Sequence, residues 1–89
     1  MNKETLTILS EECAEVIQAN SKLIRFGIND EDNITNLEQE LGDVFAMIAI
    51  LDYYGYVNIE RMVTHMEPKM QKLKKFSGIK DLNKIIKNL

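Results

Sequence analysis

The sequence is short of most of the residues that restrict or identify a fold. It has one cysteine, one proline, four glycines, one histidine and no tryptophan in 89 residues. A lone Cys13 excludes an internal disulfide and suits a reducing compartment. The few Gly and Pro leave little material for the turns that an all-β chain needs. The lone His65 reads as a surface or interface residue rather than a ligand, and no basic-then-apolar leader is legible at the N-terminus. Long hydrophobic runs are also missing. The longest, Val44 to Leu51, falls far below the about 20 residues needed to cross a bilayer. A net charge of −3 and a pI of about 5.1 give no overall basic excess for a phosphate backbone. A cytoplasmic protein with neither nucleic acid nor membrane as partner is expected.

What remains is helix-forming: Leu, Ile, Glu, Lys and Met are abundant, with 45% apolar and 28% charged residues. One domain over residues 1–89 is expected, all-α and built of antiparallel helices. Apolar spacing predicts a helix from about Lys3 to Phe26, through Leu6, Leu9, Cys13, Val16, Ile17, Leu23 and Ile24, with Gly27 as its stop. "INDEDN" reads as a polar connector. A second helix is predicted from about Ile34 to Tyr54, stopping near Gly55. Asn58 is placed to cap a third, reaching Phe76, and Pro68 inside it predicts a kink or break. Residues 77–89 hold a short amphipathic helix with Leu82, Ile85, Ile86 and Leu89, suited to packing or to a dimer contact. A chain this short, with an apolar stripe on every helix, needs partner surface.

Acids interrupt those stripes. On a helical wheel Glu12 falls roughly 20–40° from Val16 and Leu23 on one side and from Ile8, Ala19 and Phe26 on the other. Glu15 lies one turn on, and Glu11 sits at the rim. In the second helix Glu40 falls among Leu37, Val44, Met47 and Leu51, with Asp43 one turn on near Met47 and Tyr54. An acid, two spacers and an acid therefore occur twice inside apolar arcs. One such pair is ordinarily a solvated face. Two pairs brought together would repel, and burial would add to the cost of their charge. A divalent cation between the helices resolves this, and oxygen-only ligands favour Mg²⁺ or Mn²⁺ over zinc. Gly42 inside the second motif suggests close helix approach. A calcium loop beginning at Asp30 fails, because Thr35 stands at its glycine place and Leu41 at its closing Glu. A di-iron bundle fails because Met62, not Glu, precedes His65 at the required spacing.

Basic residues accompany the acids. Lys22 and Arg25 lie on the flank of the first helix nearer Glu15. Lys69 and Lys72 lie one turn apart in the third pattern, Lys69 on its inward side if that helix runs on past Pro68. Lys74 and Lys75 read as solvated and as complementing the helix dipole. Metal and basic groups together suit a polyphosphate ligand.

Glu11-Glu12-x-x-Glu15, followed after 24 residues by Glu40-x-x-Asp43, resembles the paired acid signature of the MazG-like all-α nucleoside triphosphate pyrophosphohydrolases. "EECAEVIQANSKLIRFG" and "LEQELGDVFAMIAIL" are most similar to its short single-domain, often phage-encoded members. The resemblance implies a four-helix bundle completed by dimerisation, as a homodimer or homotetramer. It implies Mg²⁺-dependent (or Mn²⁺-dependent) hydrolysis of a (d)NTP at the α-phosphorus to monophosphate and pyrophosphate. It assigns Glu12, Glu15, Glu40 and Asp43 to metal, and Glu11 with Glu12 to catalysis, Glu11 orienting or deprotonating water. Lys22, Arg25, Lys69 and Lys72 are implied as phosphate contacts, and Ile8, Phe26 and Tyr54 as sides of a base pocket. Two relatives stand as alternatives, a phosphoribosyl-ATP pyrophosphohydrolase and a dUTPase. A non-catalytic helical interaction module stands as a third.

Overall fold

The computed structural model describes residues 3–89. Every regular element among them is helical: α1 (Lys3–Phe26), α2 (Glu31–Tyr53), α3 (Ile59–Thr64), α4 (Met66–Phe76) and α5 (Leu82–Lys87). None is long and apolar enough to cross a membrane. The contacts gather into two compact units, the first ending at Tyr56 and the second spanning Val57–Leu89.

In the first unit α1 and α2 pack against each other. Only residues 27–30 join them, a link so short that the helices run antiparallel. Gly27 ends α1 with φ +119°, a conformation that side chains disfavour, and its N–H donates to Leu23 O at 3.0 Å. The polar connector is shorter than the sequence suggested. Asp30 caps α2 by accepting from the Asn33 N–H at 3.0 Å, so Glu31, Asp32 and Asn33 form its first turn. Acids there complement the positive end of the helix dipole. At the far end Gly55 (φ +79°) reverses the chain. Its N–H donates to Asp52 O and the Tyr56 N–H to Leu51 O, each at 3.0 Å, closing the last turn.

The core of this hairpin is thin: Ala19 and Leu23 from α1, Met47 and Leu51 from α2. Each buried Leu or Met stabilises by about 1.5–3 kcal/mol. Part of the predicted α1 stripe stays uncovered. Leu6, Cys13, Ile17 and Ile24 fall within about 40° of one another on the wheel, and all four are exposed, Ile17 at 67% and Ile24 at 72%. Gly42 does not serve close approach of α1, since a Cβ built on it meets nothing within 4 Å.

In the second unit Asn58 caps α3 as expected, accepting from the Arg61 N–H at 2.9 Å. The predicted third helix is divided, and the division falls at His65, three residues before Pro68. Proline donates no hydrogen bond and its ring crowds the carbonyl four residues back, that of Thr64, where α3 ends. Pro68 thereby sits in the first turn of α4, where a missing N–H costs nothing. α4 packs on α3 and on α5, and Leu82 of α5 is the buried residue of these three helices.

Candidate metal centre

The inward line of α1 runs through Ile8, Leu9, Glu12, Val16, Ala19 and Leu23, all at least partly buried. That of α2 runs through Leu37, Glu40, Val44, Met47 and Leu51. Glu12 and Glu40 thus hold positions where every neighbour on the line is apolar. Glu15 and Asp43, one turn on, are exposed on the flanks. The wheel had grouped all four as inward; the structure half-buries one acid of each pair and leaves the other exposed beside it.

Antiparallel pairing brings the two motifs together crosswise. The Glu12 carboxyl faces Asp43 and that of Glu40 faces Glu15, each pair in hydrogen-bonding reach. Oxygens of Glu12, Glu40 and Asp43 all lie within 4.8 Å of one another. Glu15 reaches this group through Glu40. One oxygen of each inward acid, Glu12 Oε2 and Glu40 Oε2, is shielded from solvent and has no hydrogen-bond partner. Burial of such atoms normally requires a partner.

The electrostatics match the crowding. Glu12 is pushed above its ordinary value of 4.5, first by desolvation, then by the charges of Asp43, Glu15 and Glu11, and last by its hydrogen bond to Asp43. Glu40 is raised above 4.5 first by its hydrogen bond with Glu15, then by desolvation and the charges of Glu15, Asp43 and Glu12. Every charge acting on the two is negative, so no base offsets them.

A hard divalent cation fits this donor set. An octahedral ion about 2.0–2.1 Å from each oxygen holds its ligand oxygens about 2.9–4.2 Å apart. The three converging carboxylates need only small side-chain adjustments to meet that spacing. The two shielded Oε2 atoms would gain the partner they lack.

Of the other expected site residues in the first unit, Lys22, Arg25 and Phe26 lie apart from this centre along α1. Lys22 and Arg25 are exposed, seven and ten residues beyond Glu15 and so about 10 and 15 Å along α1. The Arg25 guanidinium lies 5.0 Å from the centroid of the Phe26 ring. Ile8, partly buried, stands one turn before Glu12. Phe26 lies about 27 Å further along the helix, so within one hairpin the two do not line one pocket. Tyr54 is exposed beyond the end of α2, edge-on to Tyr53 at 5.1 Å. Lys69 and Lys72 belong to α4 in the second unit. Both are exposed, so Lys69 does not take the inward place that an unbroken third helix would give it.

Two antiparallel helices that converge acids on a shared, half-buried centre give an all-α frame able to hold a divalent cation. The chain belongs to the MazG nucleotide pyrophosphohydrolase domain family, whose model matches residues 1–76. That match implies a nucleotide substrate and agrees with the general divalent-metal dependence of the family. No curated protein and no solved structure gives a significant match.

Proposed function

We propose that the protein hydrolyses a nucleoside or deoxynucleoside triphosphate at the α-phosphorus, giving the monophosphate and pyrophosphate, with Mg²⁺ (or Mn²⁺) held by Glu12, Glu15, Glu40 and Asp43. The observation that carries this reading is the crossed acid cluster with its two partnerless, shielded oxygens, in a chain of this family. A divalent cation there supplies Lewis-acid charge against the phosphate oxygens and makes water acidic enough to act as nucleophile near neutral pH.

The chain's own groups do the rest. Glu12 and Glu40 stand on rigid helix positions and so set where the cation, and through it the triphosphate, would sit. Glu15 and Asp43 complete the oxygen set from the exposed flank. Glu11, one residue before Glu12 and exposed, orients the attacking water and accepts its proton. Ile8, one turn from Glu12, offers apolar surface beside the phosphates. Lys22, Arg25, Lys69 and Lys72 stand as phosphate contacts, and the separation of about 10–15 Å along α1 from Glu15 to Lys22 and Arg25 suits those two to the outer phosphates. The uncovered stripe of Leu6, Cys13, Ile17 and Ile24 supports assembly into a homodimer or homotetramer that completes a four-helix bundle.

The test is product analysis. Each of the common (d)NTPs is incubated with the protein in Mg²⁺ and in EDTA, beside Glu40→Gln. Monophosphate and pyrophosphate, formed only with metal and only by the unaltered protein, support the proposal. Diphosphate and phosphate would place cleavage elsewhere and overturn it. Turnover of phosphoribosyl-ATP alone would favour that relative. Absence of both turnover and metal binding would favour an interaction module.

A further inference from the structure

The charge of the chain is not spread evenly. Residues 57–89 carry eight basic groups against three acids, net +5, whereas residues 1–56 carry three against eleven, net −8. The positive charge is concentrated further. Between Lys69 and Lys87 stand seven lysines and the single acid Asp81. Salt limits the reach of exposed charges to about 8 Å, so an approaching surface meets this lysine-rich segment rather than the average of the chain. The expectation of no nucleic-acid partner rested on that average, and that of no membrane on the lack of a spanning apolar run.

Exposed apolar side chains are interleaved with these lysines. Phe76 is 83% exposed, Ile79 55%, Ile85 41% and Leu89 51%. Lys72, Lys75 and Gln71 flank Phe76 along an open groove. Lys74, Lys84 and Asn83 border a second groove with Ile79 and Leu82. Lys84 lies 3.7 Å from Asp81, both exposed, a pairing worth little in water. Residues 77–89 lie beyond the stretch that the family accounts for.

We infer that the α4–α5 segment, with Lys74, Lys75, Lys80, Lys84 and Lys87 and the exposed Phe76, Ile79, Ile85 and Leu89, forms a docking surface for an anionic lipid membrane. Four to eight basic residues on an amphipathic helical segment match the charge of acidic headgroups, and adjoining apolar side chains enter the acyl boundary. Nucleic acid fits less well, because binding to single strands relies on aromatic stacking and only Phe76 supplies a ring here. A two-fold contact of this surface with itself would set lysines against lysines.

Flotation of the full chain with vesicles tests this. Phosphatidylcholine vesicles are compared with vesicles holding about 30 mol% phosphatidylglycerol, at about 0.1 M and about 0.5 M salt. The protein is expected to float with the anionic vesicles at low salt only. Replacing Lys75, Lys80 and Lys84 by Gln should weaken binding by about tenfold or more. Phe76→Ser with Ile79→Ser should weaken it while leaving the charge intact. Both variants should keep the nucleotide hydrolysis of the unaltered protein in solution, which shows that they fold. Failure to float with anionic vesicles, equal binding to phosphatidylcholine, or the double serine variant binding as tightly as the unaltered chain overturns the inference. So does tighter binding to a single-stranded oligonucleotide than to vesicles, or a change of oligomeric state in these variants, which would assign the surface to nucleic acid or to a second copy.

Discussion

Removing one half-buried carboxylate should do opposite things to the metal-free and the metal-bound protein. Glu12 and Glu40 both have raised pKa values, so their ionisation works against the fold. The stability tied to them is fully present below the ordinary 4.5 and is lost as pH rises through the raised values. In EDTA, melting temperature should therefore climb as pH is lowered from neutrality toward 4.5. A divalent cation binds the ionised form and reverses the sign. Its stabilisation should be largest at neutral pH and fade as protons displace it on acidification. At a metal concentration ten times its dissociation constant the gain is about 1.4 kcal/mol. In a domain of this size that is about 6–11 °C. Glu40→Gln keeps the shape of the side chain, lets its amide donate to Glu15 and removes one of the crowded charges. It should melt higher than the unaltered protein in EDTA at neutral pH, and lose the metal increment. Glu38→Gln, an exposed acid on the same helix, should change neither. The assay is a thermal melt across pH, with and without Mg²⁺, on the three proteins. A metal increment that survives Glu40→Gln, or an unaltered protein that loses stability between neutral pH and pH 5 in EDTA, would refute the reasoning.

Three further outcomes follow from the same geometry. Leu51, 4% exposed in a thin core, should cost about 2–5 kcal/mol as Leu51→Ala by denaturant titration, enough to unfold much of the protein. Gly42→Ala should stabilise by about 0.5–1 kcal/mol, because the added Cβ meets open space and helical glycine is intrinsically costly; a lower melting temperature would mean that another copy packs there. Glu11→Gln should lower kcat by about 10²-fold or more while keeping the metal-dependent melting shift, which separates proton acceptance from metal binding.

Much of this architecture was legible in the residues themselves. The apolar spacing of α1 located both of its ends, and Gly27 and Gly55 stop helices through positive φ angles that other residues resist. The start of α2 was misplaced by three residues because Asp30 and the acids after it read as loop by polarity, while their cap and dipole chemistry makes them a first turn. Pro68 announced a break but not its place, since the clash acts one turn upstream, on Thr64. The wheel separated Glu12 and Glu40 from solvated acids such as Glu38. It could not tell how far each acid of a pair would be covered, because that depends on how α2 crosses α1. Ile8 and Phe26 share a face on the wheel, yet their residue numbers already set them about 27 Å apart along one helix.

The most direct test of the central claim is hydrolysis of a triphosphate substrate in ¹⁸O-labelled water, with mass analysis of both products. Attack at the α-phosphorus at the acid cluster predicts label in the nucleoside monophosphate, none in pyrophosphate, and no products at all in EDTA or with Glu40→Gln. Label in pyrophosphate or in released phosphate, or unchanged turnover by Glu40→Gln, would contradict it.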